Sequence, residues 1–253
     1  MASVAGIHGV LTGRPGHGPA DRYSAGELLR TMPGAVTAAY QNRRFLECAV
    51  QFLAACEGIR QFVDIGCGLP AAGAVHDVAL RIAPGARVAY VDHDPAVISA
   101  LDAPLAGYPT VRAVAGDLRR PGGILGHPEL AAFIDMAEPV AVVLTAVLHF
   151  VADDADPGGI VAGLVQAVAP GSCLVLSHAA GEYATAAAIE DARGIYGSAA
   201  ASFAPRGHAE IAGFFDGLEI MPPGIVGGAT WRPGYLATDP RGATFYAGLG
   251  KKR

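Results

Sequence analysis

Gln61-Phe62-Val63-Asp64-Ile65-Gly66-Cys67-Gly68-Leu69-Pro70 decides how the rest of this chain is read. An apolar run carries one acid near its end and then breaks at two glycines, the pattern of a buried strand turning toward a helix. Glycines at such a corner allow a sharp turn and let a ligand approach the main chain. Amides exposed at the start of the following helix would hold an anionic group, so the corner is read as the seat of a nucleoside-bearing ligand.

Outward from the corner, apolar runs alternate with helical patterns. Strands are expected at residues 60–65, 87–91, 111–115, 140–148 and 172–177, with two more at 218–221 and 243–249 that pair antiparallel. Between them, 3.6-residue periodicity predicts helices at 71–82, 128–134, 184–193 and 207–215. Two further helices carry Val97, Ile98 and Leu101, and Ile160, Val161, Leu164, Val165 and Val168. Unbroken apolar strands separated by helices indicate a mostly parallel, seven-stranded, doubly wound α/β sheet covered on both faces. Ahead of it, residues 37–57 form an amphipathic helix. Residues 1–20, rich in Gly, His and Pro without periodicity, are expected to be mobile. The expected organisation is that segment followed by one domain, 21–253, with 21–58 a helical extension or lid and 59–253 the core.

The composition permits such a core. Hydrophobic residues make up 52% of the 253 and charged residues only 16%, which excludes global disorder. A formal net charge of -5 without a basic cluster argues against nucleic acid as partner. The four cysteines, Cys48, Cys56, Cys67 and Cys173, show no paired spacing, so no zinc site and a reducing compartment are expected. No signal peptide is read, and the longest apolar run, 140–151, is far short of the roughly 20 residues that span a bilayer. A cytoplasmic protein with no membrane partner follows, and a homodimer is allowed.

Gly66-Cys67-Gly68-Leu69-Pro70-Ala71 formally satisfies the dinucleotide fingerprint G-x-G-x-x-A, with Asp92 at about the right distance for a ribose. Two features pull away from NAD. Asp64 is a poor neighbour for a pyrophosphate but suits an ammonium group or a positive centre. Gly116-Asp117-Leu118 closes the third strand, where a carboxylate can accept from an adenine amino group. A plain strand-to-helix corner is the alternative for Gly66 and Gly68, and a turn or cap residue for Asp117.

The order D-x-G-x-G, strand to Asp92, strand to Gly116-Asp117 resembles the class I S-adenosylmethionine-dependent methyltransferases. Asn42-Arg43-Arg44-Phe45-Leu46, Val147-Leu148-His149-Phe150-Val151, Leu176-Ser177-His178-Ala179, Pro205-Arg206 and Trp231-Arg232-Pro233 look like the actinobacterial S-adenosyl methyltransferase family, once a domain of unknown function. The resemblance covers about residue 21 to the C-terminus. It implies a Rossmann-like methyltransferase fold and S-adenosylmethionine as cofactor. Asp64, Gly66 and Gly68 would line its methionine part, Asp92 would hold the ribose hydroxyls, and Asp117 with the Leu118 amide would read the adenine edge. Cys67 and His93 belong to the same cofactor-binding set, Cys67 as a small filler.

His149 and His178 follow the two most buried strands and are the candidate catalytic residues. Each is read either as the general base that deprotonates an acceptor or as a packed histidine shaping its pocket. Tyr23, Tyr40, Trp231 and Arg232 are read as lid, core or pocket-edge residues, and His76 and Asp77 as the polar face of their helix. The expected reaction is O- or N-methylation of a small molecule, such as one of secondary metabolism. Non-methylating chemistry on the same fold, an NAD-dependent oxidoreductase and a non-catalytic nucleoside-binding subunit are the alternatives.

Overall fold

The computed structural model describes residues 1–231 and 244–253. Eight strands form one sheet: β1 (Gln61–Ile65), β2 (Arg87–Asp92), β3 (Val111–Ala115), β4 (Ala141–Thr145), β5 (Cys173–Ala179), β6 (Glu219–Ile220), β7 (Val226–Gly227) and β8 (Phe245–Lys251). The order is β3-β2-β1-β4-β5-β8-β6, with β7 also paired to β8. β1 to β5 run parallel, and β8 is antiparallel to β5, β6 and β7. The doubly wound sheet expected from sequence is present, with one strand more than the expected seven. The extra strand, β7, is two residues long and lies in the Pro/Gly-rich connection, too short for an alternation pattern to register. Arg232, Pro233 and Ala243 lie outside the described residues.

The helices are α1 (Val4–Leu11), α2 (Pro19–Thr31), α3 (Ala35–Ala55), α4 (Val75–Ile82), α5 (Pro95–Leu105), α6 (Pro121–Leu125), α7 (Pro128–Phe133), α8 (Pro157–Ala167), α9 (Ala186–Gly197) and α10 (His208–Gly213). Period-two alternation along the strands sorts their side chains into two cores. Phe62, Val88, Tyr90, Val143 and Val175 pack under α3, α4 and α5. Val63, Ile65, Val91, Val142 and Leu144 pack with α6, α7, α8 and α10. A third cluster joins α1, α2 and α9 through Ile7, Leu28, Ala192, Tyr196 and Phe203.

Residues 1–20 are not the mobile segment that their composition suggested. Ser3 caps α1 by accepting from the Gly6 amide at 3.0 Å. The Asp21 carboxylate, 8% exposed, accepts from both the Ser3 amide (2.9 Å) and the Gly18 amide (2.6 Å), tying the starts of α1 and α2 together. A Cβ on Gly6 would sit 2.3 Å from the Asp21 carboxyl carbon, so the glycine permits this close approach. Burial of Ile7 and Leu11 supplies the packing that compensates the order of a glycine-rich stretch.

Candidate functional site

The carboxyl ends of β1, β2, β3 and β4 open into a cavity of about 850 Å³. Ligands of open α/β sheets sit here, at the point where the chain leaves β1 for β2 on one side and β4 lies on the other. The glycine corner forms its floor. Gly66 takes φ +76, and a Cβ there would meet Val147 Cγ2 at 2.3 Å, so no other residue fits without displacing the cavity wall. Gly66 and Cys67 donate their amides back to Val91 O, which leaves the corner tight against β2.

The sequence places α4 one turn too early. The helix starts at Val75, because the chain makes an irregular loop through Pro70 and Gly73 and the Asp77 carboxylate caps the Ala74 amide at 3.0 Å. Ala71 therefore does not pack a helix onto β1, as the third position of a dinucleotide fingerprint requires. The helix start offers no free amide at His76 either, since that N–H donates to Tyr90 Oη at 3.0 Å. His76 is buried and not on a polar face: its Nδ1 lies 2.7 Å from the same hydroxyl, and burial pushes its pKa down.

Positive charge at the corner comes instead from two arginines that face the cavity from outside the sheet. Arg14, after α1, donates to Leu69 O at 2.9 Å, and Arg43, on α3, donates to Ala72 O. Burial and the neighbouring Arg43 cation pull the Arg14 pKa down to about 10. Asp64, 6% exposed, ends up facing them across the same space. Burial pushes its pKa up to about 7 against the pull of Arg43 and Arg14, with Asp92 adding repulsion. A carboxyl caught between ionised and neutral beside two clustered cations is a mixed-charge pocket, fitted to a zwitterion. Burial also holds the Cys67 thiol well above its ordinary range, so it is not a nucleophile.

Asp92 ends β2, with one carboxylate oxygen accepting from the Gly68 amide and the other from the Asp94 amide, both at 3.0 Å. Asp92 lines the cavity, and His93 lies beside it, Nδ1 at 3.5 Å. Asp117, after β3, is held by Arg119, whose Nε and Nη2 approach at 2.9 and 2.8 Å; these bonds lower its pKa. Leu118 lines the same wall. The eight sequence-predicted cofactor residues, Asp64, Gly66, Cys67, Gly68, Asp92, His93, Asp117 and Leu118, thus all line one cavity.

The two histidines separate. His149 lies not in β4 but in a single 3₁₀ turn after it, Leu148–Phe150, and borders the cavity. Its Nδ1 accepts from the Ala179 amide at 3.2 Å, which puts the proton on Nε2. Burial, with His178, His8 and Arg206 nearby, drives its pKa well down. It is a neutral donor and not a free base. His178 does not line this cavity but a smaller one beside it. Its Nδ1 donates to Ala179 O at 2.9 Å and its Nε2 accepts from Arg206 at 2.9 Å, and it is fully buried. Arg206 is buried as well, donating to Val151 O and Asp153, so His178 is a packed histidine. Trp231 packs edge-on to Phe45 at 5.1 Å between centroids, and Tyr23 and Tyr40 are exposed and line neither this cavity nor the smaller one beside it.

Sequence reasoning missed His8 and Arg14, and gave Asn42 no role beyond its place in a quoted string. His8 comes from α1, within the segment read as mobile, and its pKa falls to about 3 through burial and the cations of Arg14 and Arg43. Asn42 Oδ1 accepts from Ser177 Oγ at 2.5 Å, and that oxygen accepts in turn from the Ala146 amide at 2.9 Å. Arg43 was quoted only as part of a string. Among the described residues, no three His, Cys, Asp or Glu side chains cluster to hold a metal, and no helix is long and apolar enough to cross a membrane.

A family model of S-adenosyl methyltransferases matches residues 1–253. A solved structure of a Thermobifida fusca protein, provisionally assigned as a methyltransferase, shares 34% identity at a TM-score of 0.93, over 100% of this chain and 95% of that one. A DUF574 family protein from Streptomyces avermitilis shares 33% at the same TM-score, over 100% and 98%. An O-methyltransferase family 2 protein from Planctomyces limnophilus, 15% identical over 90% of this chain and 62% of that one at a TM-score of 0.53, shares the fold. A search of curated proteins returns no match. The cavity, its mixed-charge pocket and these likenesses agree: the chain belongs to the S-adenosyl methyltransferase family and is an S-adenosylmethionine-dependent methyltransferase.

Proposed function

We propose that the enzyme methylates an O or N nucleophile on a small molecule, with the donor seated along the carboxyl ends of β1, β2 and β3. The observation that carries this reading is that Asp64, Arg14 and Arg43 line the same cavity, near enough for the two cations to act on the carboxyl. An amino-acid zwitterion needs an anion for its ammonium and cations for its carboxylate, and a dinucleotide needs neither in that arrangement. Gly66 leaves a cradle there that a Cβ would fill.

S-adenosylmethionine, when bound, supplies a methyl group already activated on a sulfonium. The residues do the rest by holding and orienting. Asp92, already pinned by two amides, accepts from the ribose hydroxyls without moving. Asp117 is fixed by Arg119 and retains lone pairs for the adenine amino group, with the Leu118 amide beside it. Arg14 and Arg43 clamp the carboxylate from α1 and α3, closing the helical layer over the sheet and excluding water. Such positioning supplies about 7–11 kcal/mol of barrier lowering. His149, a neutral Nε2–H donor at the far side, orients the acceptor.

The test compares S-adenosylmethionine with methylthioadenosine, which lacks the amino-acid end, by calorimetry. Arg14→Ala is expected to weaken the first by about tenfold and to leave the second within about twofold. Equal losses for both would place Arg14 outside the zwitterion pocket. Binding of NAD but not of S-adenosylmethionine would overturn the reading altogether.

A further inference from the structure

We infer that the acceptor is a neutral molecule of about one aromatic ring carrying a hydroxyl, bound in a second chamber behind His8, Asn42 and His149. This rests on the methyl-transfer reading and names the other half of the same site.

The second chamber, about 160 Å³, shares His8, Ala39, Asn42, Ala146, His149 and Tyr196 with the main cavity. The two spaces therefore adjoin, and the shared side chains stand between them as the threshold between donor and acceptor. Beyond the threshold the lining is mostly apolar, with Leu11, Leu28, Met32, Ile189, Phe203 and Phe245, and its polar side chains are the neutral Ser177, His178 and Thr244. Among the described residues that line it there is no Asp, Glu, Lys or Arg. Its three histidines are neutral near pH 7: His8 is down at about 3, His178 at about 4, and His149 well below its ordinary value. A charged acceptor would leave water with no counter-charge to meet it.

Size narrows the choice. A dry apolar cavity of about 150 Å³ takes one benzene ring. Two fused rings exceed the space unless they project into the donor cavity.

The threshold suits a hydroxyl. His149 presents Nε2–H, because Nδ1 is occupied by the Ala179 amide. The Asn42 amide nitrogen has no partner among the described residues, since Oδ1 takes Ser177. His8 is neutral and makes no ring hydrogen bond with the described residues, so one of its nitrogens is an acceptor. A hydroxyl, which both accepts and donates, satisfies all three, while an ether or a ring alone would leave the His8 lone pair unused. Held there, its oxygen would lie beside the cavity proposed for the methyl donor; methyl transfer to it would break the S–CH3 bond, release a neutral thioether and pass the hydroxyl proton to the unprotonated His8 nitrogen.

The probe is phenol, titrated into the full-length protein with S-adenosylhomocysteine present and followed by ligand-observed NMR, with benzoate and 1-naphthol alongside. Phenol is expected to bind at least about tenfold tighter than benzoate, whose charge finds no partner, and tighter than 1-naphthol. Ala38 and Ala35 line the second chamber and not the main cavity. Ala38→Leu or Ala35→Leu is expected to abolish phenol binding while S-adenosylhomocysteine affinity stays within about twofold, which also shows that the variants fold. Benzoate binding as tightly as phenol, or phenol binding untouched in both variants, overturns the inference. Phenol binding without any S-adenosylhomocysteine binding would instead fault the donor assignment.

Discussion

If Asp64 must be ionised to meet an ammonium group, cofactor affinity has to follow its titration. Its pKa is raised from 3.8 to about 7, chiefly by burial, so near neutrality a large share of the empty enzyme holds the carboxyl protonated. The ligand binds the ionised form, and the apparent Kd is the intrinsic one multiplied by 1 plus the ratio of protonated to ionised Asp64. With a pKa of about 7, that factor is about 11 at pH 6 and about 1.1 at pH 8, a loss of about tenfold on acidification. Binding at about pH 7 should release about half a proton, visible as a buffer-dependent heat in calorimetry run in buffers of unequal ionisation enthalpy. Asp64→Asn should bind more weakly at about pH 8 and show no such buffer dependence. The folding consequence has the opposite sign to that of an ordinary carboxylate. Between about pH 4 and pH 7 the native state keeps a proton that the unfolded chain has lost, so stability without ligand falls as pH rises through that window, and the Asn variant lacks the slope. A wild-type Kd constant from pH 6 to 8, with no proton released, would refute the assignment of Asp64 to the ammonium.

Two further outcomes follow from the cavity wall. Asp92→Ala removes the charged acceptor pinned by the Gly68 and Asp94 amides, and should weaken S-adenosylmethionine and methylthioadenosine alike by at least about tenfold in calorimetry. Gly66→Ala places a methyl against Val147 at φ +76 and should cost about 2–3 kcal/mol, read as a fall in Tm of about 4–12 °C by scanning calorimetry.

That the proposed cofactor residues share one cavity was legible, because a parallel sheet delivers the ends of consecutive strands to one place. Asp64, Asp92 and Asp117 are far apart in the chain, yet each follows an apolar run, and the βα alternation alone brings them together. The residues that the helical layer contributes had no such carrier. His8, Arg14 and Asn42 reach the cavity only because α1 and α3 pack over the sheet, and the packing of α1 hangs on one buried carboxylate, Asp21, meeting a glycine, Gly6. No periodicity announces a contact of that kind. His178 shows a mixed outcome: its place at the end of a buried strand suggested a cavity residue, and it lines the smaller chamber, but Arg206, from 28 residues further on, bonds its Nε2. The glycine corner misled in one respect as well, since a helix seemed to open at Ala71 and Asp77 capped it only at Ala74.

The crossover at β1 and β4 divides the molecule's labour by origin. Every group assigned to the donor's nucleoside comes from the ends of β1, β2 and β3 on one side of that crossover. The groups assigned to the acceptor come from β4, β5 and the helices laid over them. On this proposal, changes in α2 or α9 would remodel which molecule is accepted while the nucleoside seat stays intact, because backbone pairing and not helix packing holds that part of the seat. A fold partitioned in this way can diversify its acceptor by changing the helices over β4 and β5 while keeping Arg14 and Arg43, and a designer seeking a new substrate has a natural place to cut.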